Sequence, residues 1–81
     1  SMGLNSSEEY YFDIYPNPTS DYLNISNIHT DFKVQIYSIL GSKLLDYSNA
    51  RRINVESLNN GVYLIKIINQ NHTYSKVFVK K

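Results

Sequence analysis

Short runs in which apolar and polar residues alternate recur along most of this chain, and that two-residue period restricts the fold more than any other feature. In "DFKVQIY", Phe32, Val34 and Ile36 fall on one side and Lys33 and Gln35 on the other. A strand sends successive side chains to opposite faces, so such a run buries one face and wets the other. Leu23 and Ile25 repeat the pattern against Tyr22 and Asn24, and Phe12 and Ile14 oppose Asp13 in "YYFDIY". Ile53 and Val55 lead a shorter run, and Gly41-Ser42 precede another near Lys43–Tyr47. Turn residues separate these runs at intervals of about eight to twelve positions, the spacing of an all-β sandwich or barrel. No stretch sustains the stripe of an amphipathic helix. Seven short strands follow, and connections too brief for crossover helices require antiparallel pairing.

The last two strands carry apolar residues on both faces. In "VYLIKII" the inward phase is Tyr63, Ile65 and Ile67, because the other contains Lys66; Leu64 and Ile68 are then partly exposed. In "KVFVK" the expectation is Val77 and Val79 inward, with Phe78 outward between Lys76 and Lys80. Asn69-Gln70-Asn71 is the expected turn between the two strands. An apolar strip near Lys81 is then either a contact surface or an edge covered by the chain's own loops. "LNNGVYLI" adds a further constraint. Immunoglobulin-type sandwiches carry a corner tyrosine two residues before a core position on the sixth strand, its hydroxyl bonded to nearby backbone. Tyr63 stands in that relation to Ile65, which points to an immunoglobulin-like antiparallel β-sandwich.

A chain of 81 residues has room for one domain and buries only roughly 60% of its unfolded surface. With no cysteine, neither a disulfide nor a cysteine–zinc site reinforces the core. Ser1-Met2 reads as the remnant of an expression tag, residues 3–9 as a flexible linker, and residues 10–81 as the domain. The start lacks the basic and apolar segments of a secretory leader, so an export signal would lie upstream in a parent chain. A net charge of +1 with interspersed signs provides no basic stripe for nucleic acid. The apolar runs fall far short of the ~20 residues that span a bilayer.

Catalytic chemistry is not visible. His29 and His72 fall in expected polar turns without partner spacing, and Asp13, Asp21, Asp31 and Asp46 are scattered. No nucleophile–base pair, calcium loop or metal cluster emerges, so the expectation is a protein that is not an enzyme and needs no cofactor or metal. Tyr10, Tyr11, Tyr15, Tyr22, Tyr37, Tyr47 and Tyr74 offer aromatic faces to a sugar. Tyrosine is also favoured in strands for packing alone. A small carbohydrate-binding or adhesive module, or a structural β-domain beside an upstream catalytic domain, therefore stays open on the residues alone.

Four segments come in one order and spacing: "YPNP" at 15–18, "VQIYSILGSKLL" at 34–45, "LNNGVYLIKI" at 58–67 and "KVFVKK" at 76–81. Together they resemble the type A C-terminal sorting domain of type IX secretion cargo, from about Phe12 to Lys81. In that resemblance Pro16-Asn17-Pro18 matches the hallmark after the first strand, and Gly41 the central turn glycine. Leu58, Gly61 and Tyr63 match the "L-x-x-G-x-Y" signature, and Lys76, Lys80 and Lys81 the basic end. Ser38 stands where the family often has aspartate; Ser42 stands where it often has a basic residue, and Lys43 comes one place late.

The resemblance implies an address tag at the end of a larger exported protein. The cargo would cross the periplasm, pass the outer-membrane translocon with shuttle proteins, and reach the cell surface or the extracellular space. A sortase-like cysteine peptidase would remove the tag. Recognition residues implied in this way are Pro16, Asn17, Pro18, Gly41, Lys43, Gly61, Tyr63, Lys76, Phe78, Val79, Lys80 and Lys81. Pro-Asn-Pro either presents one end of the sandwich as a non-pairing bend or shapes the fold as a turn. An exposed terminal strand also invites an edge-to-edge dimer.

Overall fold

The alternating runs become seven strands, β1 (Asp13–Tyr15), β2 (Tyr22–Ser26), β3 (Lys33–Ser38), β4 (Lys43–Ser48), β5 (Arg52–Asn54), β6 (Gly61–Asn69) and β7 (His72–Lys80). They are seen in a computed structural model that describes residues 12–70 and 72–81. The expected tag remnant and linker, with Tyr10, Tyr11 and Asn71, lie outside the described residues. No helix occurs among the described residues. Two antiparallel sheets form, one in the order β1-β2-β5 and one in the order β4-β3-β6-β7. The result is a small immunoglobulin-like sandwich. A constant-type immunoglobulin domain pairs its fourth strand into the sheet of the first; here β4 lies beside β3 instead.

Each sheet turns its alternate apolar set inward. Leu23, Ile25 and Ile53 from one sheet meet Val34, Ile36, Ile65, Ile67 and Phe78 from the other, and Phe12, Ile28, Phe32 and Val55 fill the space left by the connections. Burying a side chain of this size contributes about 1.5–3 kcal/mol, and in the absence of cysteine this layer carries the fold.

The phase of β7 is the reverse of the sequence expectation. Phe78 is fully buried, while Val77 is 57% exposed and Val79 only half-buried. The β6–β7 ladder sets this: Asn69 pairs with His72, so Tyr63 falls opposite Phe78, Ile65 opposite Lys76 and Ile67 opposite Tyr74. Tyr63 and Phe78 stack at 5.7 Å between centroids. Two lysines consequently point inward from a strand at the sheet's edge. Lysine tolerates this because its stem lies along apolar surface while the ammonium reaches a polar or aromatic partner. The Lys76 ammonium lies 5.4 Å from the centre of the Phe12 ring. Lys80, 7% exposed, donates to the Leu58 carbonyl at 3.1 Å.

The corner before β6 forms as expected: the Tyr63 hydroxyl donates to the Asn59 carbonyl at 2.5 Å. At the other edge, the β3–β4 pairing slips between Ile36 and Tyr37, so Ile36 faces Leu45 and Tyr37 faces Lys43, with Leu44 as the extra residue. A bulge of this kind puts residues three apart onto the same face. Lys43 and Asp46 thereby form an ion pair of 2.9 Å. The hydrogen bond from Lys43 holds the Asp46 carboxyl below its ordinary value against a smaller effect of burial. The same bond, with the carboxylate's charge, raises Lys43.

Two outcomes are expected. Phe78→Ala should cost about 3–5 kcal/mol in urea unfolding, whereas Val77→Ala should stay within about 0.5 kcal/mol; the opposite ranking would restore the other strand phase. The ion pair sets a pH window. Asp46 contributes above the ordinary carboxylate value and loses that contribution as pH falls through its lowered folded value. Lys43 contributes below the ordinary lysine value and loses it as pH rises through its raised one. Asp46→Asn should therefore lower the urea midpoint slightly near neutrality and leave it unchanged in strong acid.

Candidate recognition site at one end of the sandwich

β3 ends, β6 begins and β7 ends at the same pole of the molecule, because Ser38 pairs with Tyr63 and Tyr63 with Phe78. Three connections gather there: the β1–β2 segment with Pro16-Asn17-Pro18, the β3–β4 turn with Gly41, and the β5–β6 corner with Leu58 and Gly61.

The β3–β4 turn is closed by the Gly41 N–H donating to the Ser38 carbonyl at 3.0 Å and the Ser38 N–H donating to the Ser42 carbonyl at 2.9 Å. Gly41 takes φ of 98°, in the left-handed region where a Cβ is strained. This turn lifts Ile39 and Leu40 away from the sheet, at 73% and 92% exposure. Beside them, on the outer face of the four-stranded sheet, a groove of about 330 Å³ is lined by Tyr37, Ile39, Val62, Leu64, Lys66 and Val77, among others. The Lys66 ammonium lies 4.7 Å from the centre of the Tyr37 ring.

The β1–β2 segment does not stand clear as a non-pairing bend. It lies along the outer edge of β7, parallel to it at Thr19 and Lys80. The Asn17 side chain accepts from the Val79 N–H at 2.9 Å and donates to the Val77 carbonyl at 3.3 Å. The Thr19 N–H donates to the Val79 carbonyl at 2.9 Å, and the Lys81 N–H donates to the Thr19 carbonyl at 2.8 Å. Of the two readings of Pro-Asn-Pro, the one that shapes the fold describes these bonds.

The residues implied by resemblance therefore separate. Pro16, Asn17, Pro18, Gly41, Gly61, Tyr63, Phe78, Val79, Lys80 and Lys81 come together at this pole. Phe78 and Tyr63 face the core, and Lys80 is tied to the Leu58 carbonyl. Lys43 is engaged by Asp46 on β4, and Lys76 lies over Phe12. Ile39, Leu40, Thr19 and Lys66 were not singled out by sequence. The readable signal was two adjacent aliphatic residues directly before the turn glycine, where the alternation has already ended.

The tyrosines are not gathered into one platform among the described residues. Tyr15 and Tyr22 lie on the outer face of the three-stranded sheet, the latter under the Arg52 guanidinium at 3.9 Å, and Tyr37 lies on the outer face of the other sheet. Tyr63 is buried and Tyr74 packs against the core. His72 opens β7 rather than sitting in the turn, and His29 is exposed in the β2–β3 connection. No group of three or more His, Cys, Asp or Glu suited to a metal ion occurs among the described residues. No described helix is long and apolar enough to cross a membrane.

A comparison with curated proteins finds no match to the chain. The family described as secretion system C-terminal sorting domain matches residues 13–81, from the first residue of β1 to Lys81. That span takes in every strand and all three connections at the motif-bearing pole, and the chain belongs to the family of type IX secretion C-terminal sorting domains.

Proposed function

We propose that the folded sandwich is read by the type IX translocon and its shuttle proteins at the pole where the three connections meet. The cargo fused upstream crosses the periplasm before this step. A sortase-like cysteine peptidase then cuts in or near residues 3–9, and the cargo stays on the cell surface or is released. The observation that carries this reading is the side-by-side placement of an aliphatic turn and an apolar groove among the family-matched segments. Exposed aliphatic residues that are contiguous and adjoin a groove suit a protein contact. The groove's one lining cation, Lys66, supplies a polar rim.

A truncation of the final residues is a poor probe of this contact, because it also removes Phe78 from the core and Lys80 from the Leu58 carbonyl. Leu40→Asp is better, since that side chain is almost wholly in solvent. In a reporter fused ahead of Phe12, Leu40→Asp should reduce export at least about tenfold, the effect of losing one interface anchor. The fold, followed by circular dichroism, should be unchanged. Asp13→Ala, exposed on the outer face of the opposite sheet at the far end of β1, should export normally. Equal export by the Leu40 variant sinks the assignment of this pole. Cleavage is tested separately: mass spectrometry of the released tail should place its first residue before Phe12, and a cut between Asp13 and Lys80 overturns the proposed processing.

A further inference from the structure

The groove on the outer face of the four-stranded sheet has a floor that the strand register defines. Leu64 sits across from Tyr37 on β3 and from Val77 on β7, so these three side chains form one row. Val62 and Ile39 close the end nearer the Gly41 turn, and Lys66 closes the other. At about 330 Å³ the space matches the smaller clefts that hold a ligand, about 300 Å³. Leu64 is half-buried, and Val62 and Val77 are exposed, so the apolar walls have contacts still to make.

Lys66 brings to this site a charge that no carboxylate of the fold answers. Its neighbours across the sheet are Gln35 and Ser75, both neutral. The one ion pair among the described residues joins Lys43 to Asp46. The Lys66 ammonium rests instead 4.7 Å from the centre of the Tyr37 ring. It is half-buried there, where an anion gains more than at a fully hydrated amine. Lys33 on β3, and Lys81 two places past Val79, add the same sign to this face, while the acid on β4, Asp46, is already neutralised by Lys43. A partner for this face is therefore acidic as well as apolar. Side chains two apart on one face of a strand lie about 7 Å apart. Leu64 and Lys66 thus repeat at the spacing of an extended segment. An anionic lipid surface would answer the same charges, but a flat headgroup layer does not enter a concave groove.

We propose that the groove takes an extended protein segment with a large aliphatic residue and, two residues on, an aspartate or glutamate. The aliphatic side chain rests on Leu64 between Tyr37 and Val77, and the carboxylate pairs with the Lys66 ammonium. This partner chemistry rests on the pole being the end that docks, as proposed above.

The probe is the peptide acetyl-Thr-Leu-Thr-Glu-Thr-amide, titrated into the whole chain and followed by NMR at each backbone amide. Binding should saturate, and the amides of Tyr37, Leu64, Lys66 and Val77 should move. Replacing the peptide's glutamate by glutamine should weaken binding at least about threefold. Replacing its leucine by serine should weaken it about tenfold or more. No saturable binding, shifts centred elsewhere, or equal binding of the glutamine peptide overturns the proposal. So does Lys66-dependent binding to phosphatidylglycerol vesicles that excess peptide does not displace. In the reporter fused ahead of Phe12, Lys66→Glu should cut export at least about tenfold, and Lys66→Gln less. Normal export by Lys66→Glu beside failed export by Leu40→Asp overturns the partner chemistry and keeps the pole. Normal export by both removes the pole as well. The titration needs no variant, so it decides should Lys66→Glu fail to fold.

Discussion

The β6–β7 ladder is the constraint on which the motif-bearing end of this molecule depends. It runs without a slip from Gly61 opposite Lys80 to Asn69 opposite His72. Once that register is set, every other assignment near Lys81 follows. Phe78 must enter the core, Lys80 must find a partner at the rim, and the peptide groups of Val77, Val79 and Lys81 must face away from β6. Each of these consequences is met by a residue distant in sequence: Tyr63 for the ring, Leu58 for the ammonium, and Asn17 and Thr19 for the edge. The segments that carry the quoted motifs are therefore largely the parts that accommodate one strand.

That division changes what a partner finds at the surface. Asn17, Gly61, Tyr63, Phe78 and Lys80 are used in bonding and packing, so they determine the shape of the pole more than they present chemistry. The side chains left most open there are Ile39, Leu40, Val62 and Val77, none of them a hallmark residue. On the proposed reading, a partner that docks at this pole meets its outline more than a fixed charge at the turn. The serine at position 42 and the engagement of Lys43 by Asp46 fit such a reader. On the proposed reading, the motif residues build the pole, while contact is made by the aliphatic side chains it holds in solvent.

Much of the fold was legible because a two-residue period leaves little choice once one face is buried. Leu23 and Ile25, Val34 and Ile36, and Tyr63, Ile65 and Ile67 all face inward as their alternation requires. Hydrophobicity on β7 alone points to the opposite phase, because there two valines outweigh one phenylalanine between lysines. Counting through the hairpin decides otherwise. With Asn69 paired to His72 the turn between them has two residues, and Tyr63 can only meet Phe78. The Asn17 contact was hidden for a different reason. It joins a side chain to backbone groups 60 and 62 positions away, and no local pattern in either segment encodes it. The projection of Ile39 and Leu40 arises from the turn geometry at Gly41, to which alternation is blind.

A domain this small and without cysteine has a thin stability margin, yet it leaves several large aliphatic side chains in solvent. Those residues contribute little to folding and add a risk of association, so the stability must come from elsewhere. The buried layer between the sheets supplies most of it, and closing the sandwich at the same pole adds to it: a buried threonine, an inward lysine and a stacked aromatic pair gather where the exposed aliphatics sit. Rigidity and stickiness are thus placed together. A contact surface held by packed neighbours loses less conformational entropy on binding than one carried by a loose loop. The bonds around Val79 would then serve the Ile39–Leu40 turn as well, by keeping the sheet beneath it in a single arrangement.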